Sequence, residues 1–126
     1  MSSKKRHILY VEDYPVVQTM YTESIEAAGF DVDAVNDGKL ALEKLSNNEY
    51  DLILLDLLLP QVTGVEFLRE FVKKNSKSIV VVLTDFDKPE TVKEVMNLGV
   101  KYYWIKVDNT PHLLAKRLQN LFQDKE

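Results

Sequence analysis

Six polar residues stand at or just beyond the ends of apolar runs, and they comprise four carboxylates, one hydroxyl and one ammonium. Glu12 and Asp13 follow Ile8–Val11, Asp56 separates Leu52-Ile-Leu-Leu55 from Leu57-Leu-Leu59, Thr84 and Asp85 follow Ile79–Leu83, and Lys106 follows Tyr102–Ile105. An ionised aspartate inside an apolar run costs roughly several kcal/mol unless it is paired, so Asp56 needs partners. Three carboxylates brought together repel one another, and at least one pKa rises unless a cation sits among them. A hard divalent cation with oxygen ligands answers that need, and Mg²⁺ suits a site that also handles phosphate. A carboxylate attacking phosphorus approaches in line, and charge spreads over three equatorial oxygens. Mg²⁺, the Lys106 ammonium, and the Thr84 hydroxyl with a backbone N–H would each take one of those oxygens. Plainer roles stand beside this one. Asp56 could cap a loop, Thr84 could end a strand, Lys106 could be a surface lysine, and Glu12 and Asp13 could start a helix at the positive end of its dipole.

Positioning six such residues falls to the elements between them. Short aliphatic runs predict strands at Ile8–Val11, Val32–Val35, Leu52–Leu55, Ile79–Leu83 and Tyr102–Ile105. Apolar residues at helical spacing lie between them. Val16, Val17, Met20, Tyr21, Ile25 and Ala28 predict one face of a first helix stopped by Gly29. Further helices are predicted over Asp37–Leu45, Glu66–Lys74 and Pro89–Leu98, the last stopped by Gly99. Thr110-Pro111 reads as an N-cap and first-turn proline before Leu113, Leu114, Leu118, Leu121 and Phe122. Strict alternation of five strands with five helices predicts an α/β fold, a doubly wound five-stranded parallel sheet flanked by helices. Ligands of such sheets bind beyond the carboxyl ends of the strands. If strands one, three and four are central, the six polar residues converge there.

Composition narrows the chemistry further. The 126 residues predict a single domain over the whole chain, large enough to bury a core without staples. Its net charge of −4 disfavours a generic nucleic-acid binder. There is no cysteine, which excludes disulfides, thiolate metal sites and cysteine nucleophiles. His7 and His112 are too few and too far apart in sequence for a histidine metal cluster. No leader-like or membrane-spanning apolar stretch occurs, so the expected compartment is the cytoplasm and no membrane partner is expected. Residues 1–6, including Lys4-Lys5-Arg6, are expected to form a flexible, solvated basic N-terminus. No Gly-rich run ending in Gly-Lys-Ser/Thr exists, which removes P-loop nucleotide enzymes.

The chain resembles the receiver domain of two-component response regulators over almost its entire length. The resemblance rests on Ile8-Leu-Tyr-Val-Glu-Asp13, Asn36-Asp-Gly-Lys-Leu-Ala-Leu42, Asp51–Pro60 with Gly64 eight residues after Asp56, Val81-Val-Leu-Thr84, and Gly99–Lys106. It implies a flavodoxin-like, CheY-like fold. It implies further that Asp56 accepts a phosphoryl group from a phosphohistidine on a sensor histidine kinase or phosphotransfer protein. Glu12 and Asp13 match the acidic pair that holds Mg²⁺ with Asp56, and the Leu58 backbone carbonyl would supply another ligand. Thr84 matches the switch hydroxyl, Lys106 the phosphate-binding lysine, and Tyr103 the aromatic that changes rotamer when Thr84 is drawn inward. Tyr102 and Trp104 flank it. The downstream protein partner, unknown from sequence, would read the surface of the fourth helix, fifth strand and fifth helix. Such a domain is a phosphoacceptor with slow self-dephosphorylation rather than an enzyme acting on an external substrate.

Three positions depart from the pattern of that family. Asp85 stands where a small residue is usual, and a fourth carboxylate there would obstruct phosphoryl entry, face solvent or interact with Lys106. Val107 replaces the usual proline with its cis bond, so a trans bond and a differently shaped loop are expected. Tyr14 occupies a place often polar or acidic. Leu58 and Phe86 would line the route of an attacking water, and their bulk should slow hydrolysis of an acyl phosphate. Asp85 and Val107 also raise an alternative, an atypical receiver acting as a phosphorylation-independent interaction module. A Mg²⁺-dependent phosphohydrolase of the haloacid-dehalogenase type is set aside, since its second acid would fall at Leu58. The 126 residues hold no separate output domain, so the chain is expected to be either a single-domain regulator or a domain of a longer protein, with its own output a change of surface.

Overall fold

The computed structural model describes residues 5–74 and 76–123. Elements follow in the order β1 (His7–Val11), α1 (Pro15–Ala27), β2 (Asp31–Val35), α2 (Gly38–Asn47), β3 (Leu52–Leu55), α3 (Gly64–Lys73), β4 (Ile79–Thr84), α4 (Pro89–Asn97), β5 (Tyr102–Ile105) and α5 (Pro111–Gln123). The five strands form one parallel sheet in the order β2-β1-β3-β4-β5. This is the doubly wound sheet read from the sequence, with β1, β3 and β4 central. A short 3-10 turn, Lys106–Asp108, links β5 to α5.

Strand alternation divides the core into two layers. Leu9, Val11, Ile53, Leu55, Val80 and Val82 face Ala41 of α2, Phe67, Leu68 and Phe71 of α3, and Val95 of α4. Ile8, Tyr10, Leu52, Leu54, Val81 and Leu83 face Tyr21 and Ile25 of α1 and Leu114, Leu118 and Phe122 of α5. Each central strand is buried on both sides, which explains its unbroken apolar run.

Four sequence expectations shift. The second helix starts at Gly38 rather than Asp37, because the Asp37 side chain caps it by accepting from the Leu40 N–H at 2.8 Å. The third starts at Gly64, two residues before Glu66, where Thr63 and Glu66 form a capping box. The face of α1 is narrower than its apolar residues imply, with Val16 and Met20 exposed while Tyr21 and Ile25 are buried. Arg6, expected in a flexible tail, instead places its guanidinium 4.5 Å from the Phe122 ring centroid. Residues 1–4 of that tail lie outside the described residues.

Candidate functional site

Parallel register brings the polar residues to one edge. Val11 pairs with Leu55, Leu55 with Val82, and Thr84 with Ile105, so the residues just beyond these strands share the carboxyl end of the sheet. The backbone fixes them before any side chain acts. The Asp56 N–H donates to the Val11 carbonyl at 3.1 Å, and the Glu12 N–H to the Val35 carbonyl at 3.0 Å. A close approach by α3 shapes the loop after Asp56. The Gly64 N–H donates to the Leu57 carbonyl at 3.1 Å. A Cβ on Gly64 would lie 2.6 Å from the Leu57 Cα and 2.9 Å from the Asp56 carbonyl oxygen. Glycine is therefore required there by space alone.

Asp56 is 5% exposed and Glu12 1% exposed, and both are held by specific donors. Asp56 Oδ1 accepts from the Thr84 hydroxyl at 2.8 Å and from the Leu58 N–H at 3.1 Å. Lys106 Nζ donates to Asp56 Oδ2 at 2.9 Å and to Glu12 Oε1 at 2.7 Å. Glu12 Oε2 accepts from the Tyr14 N–H at 3.1 Å. Burial alone would push the Lys106 ammonium down, but its hydrogen bonds to Glu12 and Asp56 and their charges outweigh burial and raise its pKa. Asp13 is exposed at the mouth. Carboxylate oxygens of Glu12, Asp13 and Asp56 all lie within 4.8 Å of one another. Hard oxygen donors so grouped, with three formal negative charges facing one ammonium, fit a divalent cation such as Mg²⁺.

Comparison with known proteins agrees with this geometry. Residues 8–118 match the response regulator receiver domain. The chain belongs to that family. Response regulator ArlR of Staphylococcus saprophyticus is 37% identical over 111 residues, covering 86% of this chain and 49% of the relative. The DNA-binding response regulator MtrA of Mycolicibacterium smegmatis is 33% identical over 118 residues, covering 92% of this chain and 50% of the relative. The chain thus spans about half the length of these two curated relatives. Among solved structures, the Vibrio cholerae chemotaxis protein CheY4 superposes with a TM-score of 0.84 at 27% identity, covering 93% of this chain and 98% of that one. A CheY-like receiver domain protein from Methanospirillum hungatei reaches a TM-score of 0.88 at 22% identity, with 96% of each chain covered, and supports the fold. Response regulators work with histidine kinases or phosphotransfer proteins, and their receiver domain is a signalling domain rather than a conventional enzyme. Among the described residues, no helix is long and apolar enough to cross a membrane.

The remaining residues singled out from the sequence lie on β4, β5 and the loops beside Asp56. Thr84 is fully buried, with its hydroxyl already on Asp56 in the unmodified chain. Its oxygen also accepts from the Phe86 N–H at 3.3 Å. Tyr103 is half-buried against the layer formed with α2–α4, and its hydroxyl donates to the Phe86 carbonyl. Burial and the nearby Asp87 and Asp56 charges raise the Tyr103 pKa. Tyr102 and Trp104 point to the other layer, where their rings lie 5.7 Å apart and the Arg117 guanidinium sits 4.6 Å from the Trp104 centroid. Of the three aromatics, Tyr103 therefore touches the loop that follows Thr84. Leu58 is exposed and Phe86 partly buried, on the two loops that flank Asp56.

Asp85 is exposed, and among the described residues it forms no ion pair with Lys106. Its Oδ1 accepts from the Val107 N–H at 2.8 Å, across the gap between the two loops. No cis peptide bond occurs among the described residues, and the chain after Lys106 turns directly into its 3-10 turn. Sequence reasoning missed the residues that brace this loop from beneath. Buried Asn109 donates from Nδ2 to the Ile105 carbonyl at 2.8 Å, accepts from Arg117 at 2.6 Å, and offers its own carbonyl to the Tyr21 hydroxyl at 2.6 Å. It missed Gln18 too, whose Nε2 donates to the Glu12 carbonyl at 2.8 Å and the Val35 carbonyl at 3.2 Å. An amide in a loop or on a helix flank carries no local signal of such a role.

Proposed function

We propose that this receiver domain takes a phosphoryl group onto Asp56 from a phosphohistidine on a sensor kinase or phosphotransfer protein. One observation carries the reading. The buried Asp56 carboxylate has one oxygen on the Thr84 hydroxyl and the other on the Lys106 ammonium, beside two further carboxylates. In the transfer, an Asp56 oxygen forms the new bond to phosphorus as the histidine N–P bond breaks, and the imidazole leaves with the electron pair. Lys106 and Thr84 would pass from the carboxylate to the equatorial phosphoryl oxygens and stabilise their charge. Glu12, Asp13, Asp56 and the Leu58 carbonyl would hold Mg²⁺, which supplies positive charge to the transferring group. Leu58 and Phe86, on the loops that flank Asp56, would hinder hydrolytic water, so the acyl phosphate should persist beyond seconds in the isolated protein.

The output would be a change of surface on α4, β5 and α5, linked to Thr84 through Phe86 and Tyr103. A downstream protein, rather than nucleic acid or membrane, would read it in the cytoplasm. The alternative of a phosphorylation-independent interaction module drew its support from Asp85 and Val107. Their hydrogen bond to each other gives both residues a role that needs no obstruction of Asp56, and the alternative is not favoured.

Incubation with Mg²⁺ and a small acyl-phosphate donor, followed by intact-mass measurement, tests the reading. A gain of one phosphoryl group that Asp56→Asn abolishes is the expected result. No gain, from this donor or from a histidine-phosphorylated partner, together with no binding of Mg²⁺, would overturn it.

A further inference from the structure

The two positions that depart most from the family pattern, Asp85 and Val107, are 22 residues apart in sequence and bonded to each other. Each directly follows a residue that grips Asp56. Thr84 holds Asp56 Oδ1 at 2.8 Å and is followed by Asp85; Lys106 holds Asp56 Oδ2 at 2.9 Å and is followed by Val107. The bond needs both departures. A small apolar residue at 85 offers no side-chain acceptor, and a proline at 107 has no N–H to donate. Val107 itself is 75% exposed, so burial of its side chain does not hold the loop there. From beneath, Tyr21 and Arg117 fix Asn109, and the Asn109 N–H closes the turn on the Lys106 carbonyl at 3.0 Å. Asp85 supplies a brace from the side of β4.

We propose that Asp85 is a positioning residue whose carboxylate ties the β4–α4 loop to the β5–α5 loop through the Val107 N–H, so that Thr84 and Lys106 act on Asp56 as one unit. The inference rests on the reading of Asp56 as phosphoacceptor for its consequence, but not for the tie itself. A carboxylate accepting from a backbone N–H is among the stronger hydrogen bonds, and here it spans two loops whose alignment sets the geometry of transfer. Its role is to hold an acceptor, not to place a charge. That distinction separates it from the rival role for an acid at this place, repulsion of the incoming phosphoryl group.

Asp85→Asn keeps an oxygen acceptor and removes the charge, whereas Asp85→Ala removes both. Two readouts are needed. Exchange of the Val107 amide, followed by NMR, should quicken by about tenfold in Asp85→Ala and stay within about threefold in Asp85→Asn. The initial rate of phosphoryl uptake from acetyl phosphate with Mg²⁺ should fall about fivefold in Asp85→Ala and change less than about twofold in Asp85→Asn. Val107→Pro removes the donor, and adding Asp85→Ala to it should slow uptake no further. Thermal melting of each variant checks that the fold persists, and Asp85→Ala alone keeps the test decisive if Val107→Pro does not fold. Equal Val107 exchange in the unaltered and Asp85→Ala chains overturns the tie. Faster uptake shared by the Ala and Asn variants overturns it in favour of charge repulsion. If the unaltered chain takes up no phosphoryl group, the proposed function falls, and amide exchange still decides the tie.

Discussion

At the amino ends of the strands, one carboxylate is shared by two neighbours. The Tyr50 hydroxyl donates to Asp33 Oδ2 at 2.6 Å, and His7 Nε2 lies 3.2 Å from the same oxygen with its ring tilted against Tyr50. Asp51 sits apart and accepts from the His7 backbone N–H at 2.7 Å. At the carboxyl ends, three carboxylates lie together, the Lys106 ammonium bonds two of them and the Thr84 hydroxyl one, and two of the three are buried. Both ends hold hydrogen-bonded acids, so the presence of polar partners does not distinguish them. The difference lies in the balance. Donors match the acceptor at the amino end, and water reaches the half-exposed pair. At the carboxyl end three carboxylates face one ammonium, two of them buried, which favours a further cation among them.

The largest expected effect comes from removing the single ammonium. Lys106→Met leaves Glu12 and Asp56 buried without their counter-charge and should cost about 3 kcal/mol without divalent ions. Mg²⁺ should restore a larger share of stability to this variant than it adds to the unaltered chain. Urea unfolding with and without Mg²⁺ checks this, and an equal Mg²⁺ effect on both would break the comparison. At the amino end, Tyr50→Phe removes one donor and should cost about 1 kcal/mol, with phosphoryl uptake unchanged by intact-mass measurement. A loss of uptake there would mean the two ends are coupled.

A pH series sharpens the contrast further. Burial pushes the Asp33 carboxyl up, but the Tyr50 hydroxyl and His7 outweigh it, so its pKa lies below the ordinary 3.8. A lowered carboxyl pKa contributes stability that is present above 3.8 and is lost as pH falls through the folded-state value. The stability gap between the unaltered chain and Asp33→Asn should therefore be open near neutral pH and close as the solution is acidified below that range. Urea midpoints across an acid series measure it, and a gap that widens on acidification would contradict the sign. Tyr10→Phe should have the smallest effect. The Tyr10 hydroxyl is buried near the Glu12 carboxylate, but among the described residues it makes no hydrogen bond of ordinary distance and angle. Its loss should change stability by less than about 0.5 kcal/mol in thermal or urea unfolding.

Much of the arrangement is legible from residue order. Leu52–Leu55 has to be a strand buried on both faces, and Asp56 at its end then has to be paired. The same logic places Glu12, Thr84 and Lys106, because parallel strands all finish at one edge. Helix faces are less legible at their flanks. Leu113 on α5 and Met96 on α4 are apolar yet exposed, beside buried Leu114 and Val95. Sequence spacing marks an apolar arc, but the width of the arc that is covered depends on how closely the neighbouring helix packs. Asp85 was legible as unusual and not as bonded, since its partner is brought alongside only by the pairing of β4 with β5.

The order of strands and helices, the net acidity and the identity of the polar residues at the carboxyl ends of the strands are properties of the amino-acid sequence itself. They follow from side-chain periodicity and from the cost of burying charge, both of which act locally along the chain. Which acid receives the ammonium, which aromatic touches the loop after Thr84, and where Asp85 points were decided only when the sheet closed. Those outcomes depend on strand order and loop register, which bring residues far apart in sequence within 3 Å of one another.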